Sequence, residues 1–260
     1  VVDGVGTPNC SSSWRDRLEQ SGVQWRVYMP LGPWGLLIPS RWRRLHRKLC
    51  VVDGEVAFCG GINVLDDWLD PRHGALSNPR LDFAVQVRGP LVESVQDMML
   101  QLWWRMQLVA DVRERNLPQA FKSLRSGAKA QWNAVRTHGE PKTDGVRASV
   151  LWRDNVRYRA SIERAYLKAI GEARHDIVLA NAYFLPGRRL RQALIMAARR
   201  GVRVRVLLQG RYEYFMQYHA TRPVYRVLLA AGVEIYEYKT SFLHAKVAVV
   251  DAGHERSWAT

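Results

Sequence analysis

The stretch His-Arg-Lys-Leu-Cys-Val-Val-Asp at residues 46–53 recurs as His-Ala-Lys-Val-Ala-Val-Val-Asp at residues 244–251. Both copies fit the pattern His-x-Lys-x4-Asp, and in both a short apolar run precedes the Asp. One copy of so short a pattern carries little information, but two copies in one chain are hard to obtain by chance. The repeat predicts that two histidines and two lysines surround one anionic group, for which a phosphodiester is the best candidate.

The spacing within the motif predicts which side chains project together. Residues two apart in an extended strand point to the same face, so His46 and Lys48 project together, as do His244 and Lys246. The apolar residues that follow them are expected to be buried. The alternative, that these are ordinary strand histidines beside solvated lysines, is reasonable for one copy and weak for two.

The residue types indicate phosphoryl chemistry. One imidazole can attack phosphorus as a nucleophile, and a second can protonate the leaving oxygen. Two lysine ammonium groups can hold the non-bridging oxygens and stabilise the charge that develops on them. No metal or other cofactor is expected, because the lysines supply the positive charge, lysine is not a usual metal ligand, and no Cys-x2-Cys pair occurs.

Both motif aspartates are expected at turns, where they would have a structural role. Asp53-Gly54 separates two strand-like runs, which is a strong signal for a two-residue hairpin. Asp251 follows the equivalent apolar run of the second copy.

The repeat extends beyond the motifs. Residues 1–28 and 207–238 both read as strand, helix, a Gly-Val step and a further strand, which predicts a duplicated α/β unit with mixed sheets flanked by helices. The second copy carries an additional leading unit, with helices over about 161–173 and 188–200 and strands over 176–184 and 202–208. Because the first copy lacks this unit and the second stops soon after its motif, we expect the sequence to be an internal segment of a longer protein.

Three regions follow from this pattern. Residues 1–110 form the first half and residues 148–260 the second. Residues 111–147 are polar and of mixed charge, and we expect a helical or flexible connector there.

With its two motifs, the Gly-Gly-Ile-Asn sequence at residues 60–63 and the strand-like stretch at residues 80–90, the chain resembles the phospholipase D superfamily. Within it, the chain is most similar to the bacterial cardiolipin synthases of the B type. The stretches that carry this narrower resemblance are residues 44–48, 151–155, 180–187 and 198–203.

The resemblance implies two pseudo-symmetric α/β domains, with one active site at the pseudo-twofold interface. It implies a metal-independent, two-step transfer through a phosphohistidine. His46 would be the nucleophile, and His244 the general acid and later the base that activates the acceptor. The sequence alone does not break the symmetry, so the reverse assignment stays open.

Further site residues follow from the same resemblance. Lys48, Lys246 and Asn63 would hold the phosphate, and the small residues Gly60 and Gly61 suit close approach to it. Asp82 matches the position whose carboxylate orients the first histidine in related enzymes. Its alternative is an ordinary surface aspartate at a strand edge.

The charge of the chain favours an anionic partner. Lys and Arg outnumber Asp and Glu by 39 to 24, which gives a net charge of +15. Residues 29–44 form an apolar loop, rich in Pro and Gly and bordered by Trp and Arg, that favours an anionic phospholipid surface over nucleic acid. The alternative is a loop packed on its own core. No apolar run approaches the roughly 18 residues of a membrane span.

These observations predict a phosphatidyltransferase that makes cardiolipin, with phosphatidylglycerol and also phosphatidylethanolamine as candidate substrates. We expect it on the cytoplasmic side of a bacterial inner membrane, as a peripheral protein, since the odd number of cysteines implies no disulfide framework. The alternatives are a phospholipase D that uses water, a phosphodiester nuclease and a non-catalytic membrane-binding module. Nucleic acid is not an expected partner, because small nucleases of this superfamily carry one motif per chain. The intact motifs disfavour the non-catalytic module.

Overall fold

The computed structural model describes residues 1–4, 12–29, 44–70, 73–136, 145–151, 160–211 and 215–260. They divide into two compact units. The N-terminal unit comprises Val1–Cys59 and Gln86–Val150, and the C-terminal unit comprises Gly60–Val85 and Leu151–Thr260. This division differs from the predicted one, because residues 60–85 belong to the C-terminal unit and the predicted connector packs within the N-terminal unit.

Over residues 161–238 the described elements alternate between helices and strands, as the sequence predicts. The helices are α1 (Ser12–Gln20), α2 (Leu91–Arg113), α3 (Leu117–Arg136), α4 (Ser161–Glu172), α5 (Arg188–Arg199) and α6 (Phe215–Leu229). The strands are β1 (Val2–Asp3), β2 (Val27–Tyr28), β3 (Lys48–Val52), β4 (Val56–Gly60), β5 (Leu69–Asp70), β6 (Gly74–Ala75), β7 (Ala84–Arg88), β8 (Asp176–Asn181), β9 (Arg203–Gln209), β10 (Glu234–Tyr238), β11 (Lys246–Val250) and β12 (Trp258–Ala259).

The predicted hairpin at the end of the first motif is confirmed. Asp53 and Gly54 both have positive φ, at 52° and 71°, and the amide of Glu55 donates to the carbonyl of Val52 at 3.0 Å. Two successive positive φ values are the requirement of the tight turn that matches the twist of paired strands. The turn therefore joins β3 to β4, and β7 adds on the other side of β4.

Two long helices, α2 and α3, complete the N-terminal unit, and α3 lies where the sequence predicts a helical or flexible connector. A buried carboxylate joins α2 to α3: Asp111 accepts hydrogen bonds from the Ser123 hydroxyl at 2.6 Å and from the Gln107 amide at 2.5 Å. Asp111 is 3% exposed. Because a buried carboxylate must be hydrogen-bonded to be tolerated, these contacts fix how the two helices pack.

The C-terminal unit is built on one mixed sheet with the strand order β10-β9-β8-β11-β12. Strands β8, β9 and β10 are parallel, whereas β11 is antiparallel to β8 and β12 is antiparallel to β11. Side chains of α4, α5 and α6 share one hydrophobic core with the sheet, including Ile170, Leu194, Val206 and Leu228. Gly201, with a φ of 89°, follows the end of α5 in the left-handed conformation that glycine adopts readily.

The two halves do not form equivalent sheets among the described residues. In the C-terminal unit, β8 lies between the β9–β10 pair and β11. Residues 1–60 contain no described strand in the place of β8. For that reason β1–β2 and β3–β4 remain in separate sheets.

Candidate functional site

The second motif is held in place by a segment from the first half of the sequence. Within the C-terminal unit, Leu81 forms a parallel bridge with Leu243. The amide of Leu81 donates to the Phe242 carbonyl, and the amide of His244 donates to the Leu81 carbonyl, both at 2.9 Å. The bridge places Asp82 beside His244.

Asp82 and His244 form a close polar pair. Oδ2 of Asp82 lies 2.7 Å from Nδ1 of His244, and the two side chains are 10% and 17% exposed. An ionised carboxylate can only accept a hydrogen bond, so this contact assigns the proton to Nδ1 and leaves Nε2 for chemistry. The other carboxylate oxygen, Oδ1, accepts the amide of Phe83 at 2.8 Å.

This pairing corrects one expectation from the sequence. The resemblance assigns Asp82 to the first-motif histidine, His46, but the carboxylate lies on the second-motif histidine, His244. The reason is topological, because the segment before Asp82 pairs with Leu243.

Each motif lysine lies against its own histidine. Lys246 Nζ is 3.3 Å from Nε2 of His244 and donates to the His244 carbonyl at 2.8 Å. In the N-terminal unit, Lys48 Nζ is 3.1 Å from Nδ1 and 3.3 Å from Nε2 of His46. An ammonium group beside a ring nitrogen can hold a non-bridging phosphate oxygen while that nitrogen acts on phosphorus.

Two glycines, the last residue of β4 and the residue after it, make room for Asp82 and the residues that follow it. A Cβ atom on Gly61 would lie 2.2 Å from Oδ1 of Asp82, and one on Gly60 would lie 2.4 Å from the carbonyl oxygen of Phe83. The amide of Gly61 also donates to that carbonyl at 2.9 Å. The small residues thus permit close approach of the Asp82 segment, whereas the sequence suggested approach to a phosphate. Asn63, two residues further on, is half-buried.

The motif aspartates differ in their surroundings. Asp251 is 5% exposed, and its carboxylate accepts the amides of Arg174, His175 and Asp176 at 2.9, 2.8 and 3.0 Å. Burial raises the pKa of Asp251, but these three donors outweigh that effect and hold the pKa below its usual value. Asp53 is exposed in the hairpin turn.

Two residues that the sequence patterns did not indicate anchor the backbone just before each motif histidine. Asp3 Oδ1 accepts the amide of Leu45 at 3.0 Å, and Gln209 Oε1 accepts the amide of Leu243 at 3.2 Å. Asp3 and Gln209 occupy corresponding places in the repeat, one residue before Gly4 and Gly210. A polar residue at the same point of both copies was the available signal.

The proposed membrane loop at residues 29–44 falls mainly on positions 30–43, which lie outside the described residues. Among the residues that the structure does describe, no helix is both long enough and apolar enough to cross a membrane.

Comparisons with known proteins show the family of this chain. The family described as "Cardiolipin synthase, PLD-like domain" matches residues 166–260. Cardiolipin synthase B of Escherichia coli strain K12 is 34% identical over 263 aligned positions, which cover 100% of this chain and 57% of that protein. The chain belongs to the phospholipase D superfamily. It spans little more than half the length of the curated relatives it matches.

Further proteins are also similar to this chain. Cardiolipin synthase of Halalkalibacterium halodurans is 31% identical and aligns with 96% of this chain and 46% of that protein. Among solved structures, phosphatidylserine synthase of Haemophilus influenzae Rd KW20 is 14% identical. The match covers 80% of this chain and 52% of the phosphatidylserine synthase chain, with a TM-score of 0.44.

Proposed function

We propose that this chain carries the catalytic segment of a cardiolipin synthase-type phosphatidyltransferase. The proposal rests on the arrangement at His244, whose ring lies between the Asp82 carboxylate and the Lys246 ammonium. A histidine held in one tautomer beside a cation is suited to attack on, or proton transfer at, a phosphodiester. The similarity to proteins named cardiolipin synthase selects the lipid reaction among those possible for such a site.

The first step forms a phosphohistidine. Nε2 of His46 attacks the phosphorus of a donor glycerophospholipid, and the bond from phosphorus to the headgroup oxygen breaks. That oxygen takes a proton from Nε2 of His244, and the free headgroup alcohol leaves. Asp82 stabilises His244 in the protonated form that this step requires.

The second step transfers the phosphatidyl group. The free hydroxyl of phosphatidylglycerol gives its proton to His244, and its oxygen attacks phosphorus. The bond from phosphorus to His46 breaks, which restores the neutral ring and releases cardiolipin. Phosphatidylglycerol or phosphatidylethanolamine is the donor.

The remaining site residues have binding or structural roles in this proposal. Lys48, Lys246 and Asn63 hold the non-bridging oxygens of the phosphate. Gly60 and Gly61 shape the backbone around Asp82.

The motif aspartates are structural. Asp251 ties the end of β11 to the start of β8 through backbone amides. Asp53 forms the hairpin turn after β3.

A membrane surface is the proposed location of the reaction, and the apolar surface of residues 62–69 supports it. Val64, Leu65, Trp68 and Leu69 are 105%, 51%, 56% and 55% exposed. The Asp66 carboxylate accepts the amides of Trp68 and Leu69 at 2.8 and 3.1 Å, so these two amides are paired before any insertion. Such a segment can enter the headgroup region without leaving those groups unpaired. We place the protein peripherally on the cytoplasmic side of a bacterial inner membrane.

Lipid mass spectrometry tests the proposal. The protein that contains this chain is incubated with phosphatidylglycerol vesicles, in parallel with His46→Ala and His244→Ala variants. A supercoiled plasmid is incubated in a separate reaction. Cardiolipin that forms with the wild type and with neither variant is the expected result.

The other outcomes discriminate the alternatives. Phosphatidic acid without cardiolipin would indicate a phospholipase D that uses water as acceptor. Nicked plasmid with unchanged lipid would replace the lipid reaction with a nuclease. Cardiolipin formed equally by His244→Ala would remove His244 from the mechanism.

A further inference from the structure

Two guanidinium groups and one imidazole lie around the ring of Phe242 in the C-terminal unit. The guanidinium carbons of Arg80 and Arg211 lie 5.9 and 5.6 Å from its centroid, and the His73 ring centroid lies 4.9 Å from it. Phe242 is 5% exposed, so the ring is buried among these groups. We call these four residues the Phe242 cluster.

The cluster carries more positive than negative charge. Asp70, which is 7% exposed, accepts from both Arg80 and His73. Arg211 donates its Nε to the Lys239 carbonyl at 3.1 Å. No carboxylate among the described residues forms an ion pair with Arg211. One guanidinium of the cluster therefore remains uncompensated within the described part of the chain.

Phe242 of the cluster lies two residues before His244, the proposed catalytic histidine. Phe242 and His244 are two residues apart in an extended segment that pairs with Leu81 on both sides of Leu243. Alternate residues of such a segment share a face and lie about 7 Å apart along the backbone. Leu243, between them, is 1% exposed and faces the opposite way, into a core with Ala245. Phe242 and His244 thus project on the same side.

This spacing suits a lipid acceptor. The attacking hydroxyl of phosphatidylglycerol is separated from its own phosphate by a single glycerol, whose length is comparable to one strand repeat. A guanidinium binds phosphate through parallel hydrogen bonds in a fixed plane. The cation–π contact of Arg211 with Phe242 restricts where that guanidinium lies.

We infer that the Phe242 cluster is a second phosphate subsite, in which Arg211 holds the phosphate of the acceptor lipid while the acceptor hydroxyl reaches His244, which takes its proton. The inference rests on the proposed function and adds the basis of its acceptor selectivity. Water has no phosphate to occupy the subsite, so occupation favours transfer over hydrolysis.

A binding measurement tests the subsite independently of turnover. Isothermal titration calorimetry compares deacylated cardiolipin, which has two phosphates joined by one glycerol, with inorganic phosphate. The quantity compared is the ratio of the affinity for deacylated cardiolipin to the affinity for inorganic phosphate. We expect Arg211→Ala to lower this affinity ratio by about 10- to 100-fold, the equivalent of losing hydrogen bonds to a charged group. Arg226→Ala, which removes the same charge from an exposed position on α6, should leave that ratio unchanged.

A conservative variant guards against loss of folding. Arg211→Lys keeps the charge without the planar fork, so the ratio should fall less than in Arg211→Ala. Circular dichroism identifies any variant that does not fold.

Each remaining outcome has a definite meaning. A ratio that is unchanged in Arg211→Ala and Arg211→Lys, while His244→Ala weakens both ligands, overturns the subsite and leaves the proposed function intact. Failure of His244→Ala to weaken either ligand overturns the proposed function, and the subsite with it. A wild type that binds deacylated cardiolipin no better than phosphate overturns the subsite alone.

An activity measurement gives the second readout. Arg211→Ala should raise the KM for phosphatidylglycerol as acceptor and increase the phosphatidic acid formed per cardiolipin. An unchanged product ratio in that variant would contradict the assigned role.

Discussion

Oδ2 of Asp82 lies 2.7 Å from Nδ1 of His244, although 162 positions separate the two residues in the chain. Both side chains are largely buried, so water competes little for the contact. The pair couples the segment after the first motif to the histidine of the second. A carboxylate in this position fixes the tautomer of the ring and stabilises its protonated form.

Asp82→Asn should lower kcat by about two to four orders of magnitude, with a much smaller change in KM. The amide keeps the shape of the side chain but cannot stabilise an imidazolium, and its NH2 group favours the wrong tautomer. Steady-state phosphatidyl transfer measures the effect. A near-normal kcat in a folded variant would show that the pair does not assist the reaction.

Gly61→Ala should reduce activity while the protein stays folded. The new Cβ would lie 2.2 Å from Oδ1 of Asp82, which forces the carboxylate away from His244. Gly171→Ala is the matched control, because a Cβ there meets nothing within 4 Å. Gly171 lies in α4, where alanine should stabilise by about 0.5–1 kcal/mol. Equal activities for the two variants would contradict the proposed displacement.

Gln209→Ala should loosen the backbone before His244. The substitution removes the acceptor of the Leu243 amide, at a cost of about 1–2 kcal/mol. Hydrogen exchange at that amide should become faster, and kcat should fall more than thermal stability. Gln192→Ala on the exposed face of α5 serves as control. Unchanged exchange at Leu243 would exclude the anchoring role.

Asp251 should give the protein a defined sensitivity to acid. The pKa of Asp251 is below the usual 3.8 in the folded state. Its contribution to the free energy of unfolding is therefore fully present at pH values above the usual pKa. The contribution is lost as pH falls through the lower, folded pKa. Asp251→Asn should lower the free energy of unfolding at pH 7 by about 2–3 kcal/mol, because its NH2 group opposes a backbone amide.

Urea unfolding at pH 7 and near pH 3 measures this effect. The difference between wild type and Asp251→Asn should shrink at the lower pH. Asp53→Asn is the control at the same motif position, and it should have little effect because Asp53 is exposed and asparagine tolerates its φ of 52°. A pH-independent difference would indicate that the charge of Asp251 is not what stabilises the fold.

Trp68→Ala should weaken binding to phosphatidylglycerol vesicles by about tenfold, since it removes roughly 1–2 kcal/mol of apolar transfer. Vesicle sedimentation gives the partition coefficient. Trp14→Ala is the matched control, since Trp14 on α1 is 57% exposed and Trp68 is 56% exposed. Equal losses from both variants would remove the special role of residues 62–69.

Local features were predicted well from the sequence because they depend on neighbours in the chain. The hairpin at Asp53-Gly54 follows from the need for two positive φ values. The end of α5 at Gly201 follows from the same freedom. The strands and helices of residues 161–250 follow from the periodicity of their apolar residues.

Contacts between distant segments were not predictable in this way. The packing of α2 on α3 depends on Asp111, whose partner Ser123 lies on the other helix. The anchors Asp3 and Gln209 act on amides about forty and thirty residues away. The helix packing leaves no local pattern, and the anchors are signalled only by a polar residue at the same point of both repeats.

The sequence by itself determined the two motifs, the mixed α/β class and the residues that can act on a phosphodiester, because these depend on residue type and short spacing. Only the tertiary structure decided which histidine Asp82 serves. That choice depends on a bridge between Leu81 and Leu243. The bridge lies within the C-terminal unit, to which residues 60–85 belong. A β-bridge joins backbone groups without regard to their separation in the chain, so no local pattern of residues specifies it.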